Sequence, residues 1–272
     1  MTANASVAGK APSQRRWAFK RPSERALYGA MGFIGVLVLW EIATDVGIFK
    51  KSLMSAPSLI VKAAMTDFGS GAIWPHITTS LSEWAIGFAI GAVVGIPLGL
   101  IIGWFRRFDY FASVMLSAIY ATPKVALAPM IILVAGIGIE AKVILVLLLS
   151  IFAIIVSTVS GVHSVDRRHQ QIAQSFGASK RLLFTSVVLP STIPFILSGL
   201  RIGAGRALVG VVVAEFLVAN QGIGWYISFN GTMLNSARVY LGILMLGLFG
   251  IVLGEMIRVV ERRFDAWRPE IH

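Results

Sequence analysis

Six apolar stretches dominate this chain of 272 residues, at about 27–45, 80–102, 111–136, 141–161, 193–218 and 239–260. A hydrocarbon core about 30 Å thick takes about 20 predominantly apolar residues of helix. Lipid offers nothing to hydrogen-bond the backbone, and a helix satisfies its own groups. The pattern predicts an all-α, polytopic membrane protein of about six spans. Composition agrees: 56% of residues are hydrophobic and 14% charged, where a soluble domain has about 25% charged. The third stretch is interrupted by Pro123 and Pro129 with Lys124 between them, and the first is dented by Glu41. Between the first two, SLIVKAAMTDF within 46–79 has the amphipathic pattern of a surface helix.

Twenty-four Lys and Arg against 13 Asp and Glu give a net charge of +11. In a soluble protein such a balance points to nucleic acid. Here it is explained by topology and anionic lipid, and no zinc motif, RNA-binding signature or basic helix-turn-helix is present. Without cysteine there is neither a disulfide framework nor a thiolate metal site. Residues 1–26 are polar and basic and read as a cytoplasmic tail ahead of one membrane domain, 27–268. The first apolar run contains Glu41 and has no small-residue cleavage site, so it reads as a span rather than a signal peptide. Placing the tail inside also places Arg106, Arg107, Arg167, Arg168, Lys180, Arg181, Arg258, Arg262, Arg263 and Arg268 inside. Lys50, Lys51 and Lys62 stay outside, with Lys142 and Arg238 at that edge. The positive-inside bias therefore predicts both termini in the cytoplasm of a plasma-membrane protein.

The loop 163–190, HSVDRRHQQIAQSFGASKRLLFTSVVLP, falls on the same side. Asp166 is a good N-cap and Gly177 a good left-handed C-terminal residue, so a short helix is expected over 167–176. Ile172, Ala173 and Phe176 share one face of it. A short helix with a small apolar face, held between two spans, suits docking to a cytoplasmic partner.

This loop resembles the coupling loop of binding-protein-dependent ABC importers, which reads E-A-A, three residues, G, nine residues, then I-x-L-P. The register here is Gln171-Ile172-Ala173, Gly177, then Val187-Val188-Leu189-Pro190, with the spacing kept and Gln in place of Glu. From about Leu53 to Pro269 the chain is similar to the nitrate/sulfonate/taurine-type permease group, through HITTSLSEWAIGFAIGAVVGIPLG, ATPKVALAPMIILVAGIG, GLRIGAGRALVGVVVAEF and RRFDAW. The resemblance implies the type I importer permease fold. It also implies a second permease copy, cytoplasmic ABC ATPase subunits and an extracytoplasmic solute-binding protein as partners. ATP and magnesium would be bound by the ATPase, with no cofactor in this chain. Coupling residues would be Asp166, Gln171, Ile172, Ala173, Phe176, Gly177, Leu189 and Pro190.

Gly87, Gly91, Gly95, Gly99 and Gly103 recur every fourth residue and share one helix face. Such a stripe lets another helix backbone approach closely, within the subunit or between two copies. The frequency of such packing inside bundles favours the first. Lys124, Arg206 and Glu215 are ionisable groups inside spans, hence candidates for the pathway. Snorkelling or kink formation is the competing reading for Lys124, and ion pairing that sets helix rotation the competing one for Arg206. Arg201, beside the docking loop, reads as an ion-pairing residue. Glu83 and Glu255 are expected to be solvated near the interface. The four histidines form no metal pair at helical spacing. No phosphate-binding loop, HExxH or GxSxG is present, so no catalytic role is expected. An ion-gradient-driven transporter is the alternative; it would use the same three ionisable groups but leave the docking loop unexplained.

Overall fold

The computed structural model describes residues 22–50 and 53–263; the expected tail lies outside them but for its last residues. These residues form helices and connecting turns, with no strand among them. Five helices are long and apolar enough to cross a membrane.

The first, α1 (Pro22–Asp45), exposes apolar side chains all round, as Leu27, Phe33 and Leu39 illustrate. Its end is held against α2. Glu41 accepts hydrogen bonds from the Ser58 backbone N–H at 3.0 Å and the Ser58 hydroxyl at 2.6 Å, which caps the start of α2 (Pro57–Gly69). The dent in the first apolar run is thus a carboxylate at a helix N-terminus, where the dipole favours negative charge. The apolar face of α2 buries Ile60 against Ile73, Tyr226 and Leu241.

A turn through Gly71 (φ 79°) leads to α3 (Trp74–Trp104). At 31 residues it is about 46 Å long, more than a hydrocarbon core requires. The glycine stripe faces α6 (Ile139–His163) of the same chain. A Cβ on Gly87 would meet Val146, on Gly91 Ser150, on Gly95 Ile154, on Gly99 Thr158 and on Gly103 Val162. Every pair is offset by 59 residues, so two four-residue stripes run parallel in one constant register. Helix α9 (Leu189–Val218) packs against both α3 and α6, with Gly199, Gly203 and Gly210 against Ser157, Ile154 and Val146 of α6 and the Trp84 indole N–H of α3 donating to the Ala204 carbonyl. The trio α3, α6 and α9 is the centre of the fold.

The third apolar stretch is broken where its prolines lie. α4 (Arg106–Ala121) stops at Thr122, which is extended (φ −72°, ψ 132°) because Pro123 disfavours a helical residue before it. A 3₁₀ turn (Lys124–Leu127) follows, then α5 (Ala128–Ala135), started by Pro129 and stopped by Gly136 at φ 82°. Neighbouring boundaries also move outward. α3 starts at Trp74, and a short α8 (Lys180–Leu183) passes through a π turn (Phe184–Val188) directly into α9. The π turn precedes Pro190, which has no N–H to continue a regular ladder.

α10 (Ile223–Thr232) and α11 (Ser236–Arg262) complete the chain at the end where α2 lies. Asp67 of α2 accepts the Tyr226 hydroxyl at 2.5 Å and two hydrogen bonds from the Arg238 guanidinium at 2.9 and 2.7 Å. Burial alone would raise the Asp67 pKa, but these donors outweigh it and hold the carboxyl below its usual value.

Candidate functional site

Two regions hold the singled-out residues: a small helix at one end of the bundle and a set of charges inside it.

The small helix is α7 (Arg167–Ser175). Asp166 caps it by accepting the Arg168 backbone N–H at 2.8 Å. Its other end closes with two backbone bonds, Ala178 N–H to the Ala173 carbonyl at 3.0 Å and Gly177 N–H to the Gln174 carbonyl at 2.9 Å. Gly177 sits at φ 76°. This is the Schellman closure, and it gives a physical reason for the glycine four residues after Ala173. Ala173 supplies the carbonyl of the longer bond, and Gly177 supplies the left-handed residue. Ser179 then caps α8 through the Leu182 N–H. Val165, Val162 and Val188 form a buried cluster with Trp104 and Phe184 that roots the base of the loop. The helix itself stays uncovered. Ile172 is 56% exposed and Phe176 87% exposed, while Gln171 is exposed and Ala173 half-buried. Leu189 and Pro190 are half-buried at the start of α9, away from that surface.

Inside the bundle, Glu83 is 1% exposed and accepts a 2.6 Å hydrogen bond from Lys142 Nζ. The expectation of a solvated Glu83 carboxylate is overturned: it forms an ion pair with Lys142, in the first turn of α6, buried between α3 and α6. Glu215, also 1% exposed, accepts the Ser80 hydroxyl and the Gly224 N–H, both at 2.5 Å. Ser80 in turn accepts the Ile223 N–H at 2.8 Å. Glu215 thus fixes the start of α10. A Cβ on Gly222 or Gly224 would collide with it, and the Gly222-Ile223-Gly224 triplet downstream of a buried Glu was the signal that could have revealed it.

Lys124 and Arg206 are brought together, within electrostatic reach of each other. Lys124 is buried, with its ammonium 5.2 Å from the centre of the Phe152 ring. Arg206 is half-buried midway along α9. Arg201 pairs with Glu261, and exposed Glu255 pairs with Arg258 one turn on. No cluster of His, Cys, Asp and Glu that could hold a metal occurs among the described residues.

A bundle with five helices of spanning length around a glycine-packed centre, with a capped helix projecting from one end, has the architecture of a polytopic membrane protein. Residues 95–266 match the family described as binding-protein-dependent transport system inner membrane component, and the chain belongs to that family. It is an ABC importer permease subunit of the sulfonate/taurine permease group. It is 33% identical to the formylaminopyrimidine transport permease protein ThiX of Halalkalibacterium halodurans, over 91% of this chain and 98% of that one. It is 27% identical to the taurine transport system permease protein TauC of Escherichia coli, over 94% and 96% of the two chains. A chain of the inward-facing MetNI methionine ABC transporter superposes with a TM-score of 0.63. It covers 72% of this chain and 98% of its own length at 14% identity, a likeness of fold.

Proposed function

We propose that this subunit forms, with a second copy of itself, the path of an ATP-driven importer for a small anionic solute of the sulfonate class. It takes its energy from two cytoplasmic ABC ATPase subunits and its solute from an extracytoplasmic binding protein. The observation that carries this reading is α7: a helix capped at both ends, rooted by a buried cluster, with Phe176 87% exposed at its tip. A large apolar side chain so presented on a rigid base fits a partner's groove. Both termini and α7 lie on the cytoplasmic side, as the Lys and Arg distribution requires. ATP binding closes the ATPase pair, the two α7 helices are drawn together, and the bundle halves rock about the path. The chain does no covalent chemistry and holds no cofactor; ATP and magnesium belong to the ATPase. The similarity to a taurine transport permease supports the solute class, as do two cations drawn together at mid-bundle.

Lys124→Gln and Arg206→Gln test the path. Each is expected to slow uptake about tenfold, the loss of one charge-assisted hydrogen bond to an anion. Basal ATP hydrolysis and assembly should persist, because α7 is untouched. If the cations serve only the fold, the same purified variants lose thermal stability instead. Stable, fully active variants would remove both residues from the path.

Gly177→Val tests the coupling geometry. No atom lies within 4 Å of a Cβ built there, so the substitution meets no clash. The penalty is conformational, on the order of 1–2 kcal/mol for a left-handed residue. It falls on the direction in which the chain leaves the docking face. ATP hydrolysis is expected to continue while uptake falls, with Gly177→Asn milder because Asn tolerates that region. Wild-type coupling in Gly177→Val would refute the assignment.

A further inference from the structure

A cavity of about 640 Å³ opens at the end of the bundle that carries α7, where α3 ends, α4 begins and α6 ends. Its floor includes the buried Val162 and Val188. Arg106, Asp109 and Tyr110 of α4 and His163 of α6 supply polar groups to its walls. The Arg106 Nε–H donates to the Tyr110 hydroxyl oxygen at 2.6 Å, and the guanidinium lies 5.3 Å from that ring's centre. This fixes the cation and leaves its two terminal amino groups, and the Tyr110 O–H, to donate elsewhere. Asp109 Oδ1 lies 3.5 Å from His163 Nε2. The cavity thus presents a fixed cation and a carboxylate three residues apart on one helix, whose Cβ atoms are about 5–6 Å apart.

The surroundings indicate where a ligand would come from. Phe105, Phe108, Tyr110 and Phe111 are all exposed, just past Trp104 at the end of a membrane-spanning helix. Trp104 and Tyr110 are of the kind enriched at the lipid headgroup level. A cavity there, open beside lipid-facing aromatics, is within reach of a headgroup whose acyl chains stay in the bilayer.

We propose that this cavity seats the headgroup of phosphatidylethanolamine, with the phosphate on Arg106 and Tyr110 and the primary ammonium on Asp109. The charges select this lipid over others. A purely anionic headgroup such as phosphatidylglycerol meets the Asp109 carboxylate unfavourably. Phosphatidylcholine carries the cation but no N–H to donate to that carboxylate. Because Gln170 of α7 also lines the cavity, the bound headgroup braces the base of the docking helix. The inference does not depend on which solute is carried.

The test uses the full-length chain, delipidated in detergent and titrated with palmitoyl-oleoyl phosphatidylethanolamine, phosphatidylcholine or phosphatidylglycerol, with bound lipid counted by native mass spectrometry. Wild type should hold one phosphatidylethanolamine about tenfold more tightly than either other lipid, the worth of one charge-assisted hydrogen bond. Asp109→Asn should bring phosphatidylethanolamine down to the phosphatidylcholine level. Arg106→Gln should weaken all three about tenfold through loss of the phosphate contact. Equal retention of the three lipids by wild type would overturn the proposal without reference to any variant, as would tighter phosphatidylglycerol binding or an unchanged preference in Asp109→Asn. Soluble glycerophosphoethanolamine should compete only weakly. Competition equal to that of the lipid would assign the cavity to a dissolved solute and overturn the lipid reading.

Discussion

Phe176→Asp is expected to abolish uptake and to release the ATPase from the purified permease, while the permease itself still inserts and folds. The side chain is 87% exposed and touches none of the buried clusters, so its loss leaves the fold intact. In the assembled transporter it is expected to be covered. Full burial of a Phe contributes about 1.5–3 kcal/mol. Aspartate in the same groove loses that and adds the cost of an unpaired charge out of water. Ile172, on the same face, should give a graded version when changed to Ala, which keeps part of its apolar surface. The measurement is recovery of the ATPase on a tagged permease, with uptake in reconstituted vesicles. Normal recovery with Phe176→Asp would show that α7 docks nothing.

Lys142→Met should have the largest effect on the fold itself. It leaves Glu83 and Glu215, both 1% exposed and near enough to interact, without the one ammonium that faces them. Breaking a buried pair from one side costs about 3–5 kcal/mol, a large part of the roughly 5–15 kcal/mol that holds a typical domain together. The purified variant should melt well below wild type or fail to accumulate. Glu83→Gln combined with Lys142→Met should regain most of the loss, because the pair's desolvation cost disappears along with its attraction. Wild-type melting of the single variant would show that the pair contributes nothing to stability.

The same ion pair shows where sequence reasoning stops. The stripe Gly87 to Gly103 was visible because glycine at every fourth position needs no partner to be recognised. Glu83 lies one step earlier on that stripe, and Lys142 one step before Val146 on the facing one, at the same offset of 59. Each charge taken alone sits near the end of an apolar run and reads as solvated. Only the register between α3 and α6 reveals the pair, and register is a tertiary property. The ends of α7 were legible for the opposite reason, since the Asp166 cap and the Gly177 closure are local. The break in the third stretch is legible in Pro123 and Pro129, and its place at the extended Thr122 follows from the clash between a proline ring and the residue before it. Glu41 looked like a flaw in a span because its partner, Ser58, lies 17 residues away on another helix.

The constant offset between α3 and α6 has a mechanical consequence. Each missing side chain on α3 receives a side chain of α6, so the two helices mesh like racks with a tooth spacing of four residues, about 6 Å. A smaller slide would drive Val146, Thr158 and Val162 onto backbone positions that have no room for them. Helices held this way move past one another only by whole turns. A push arriving at the base of α7, beside Val162, therefore reaches Lys142 at the far end of α6 without being absorbed by shear along the way. Within the subunit, give is left to the parts outside this mesh: the break at Thr122 and the free-standing length of α1.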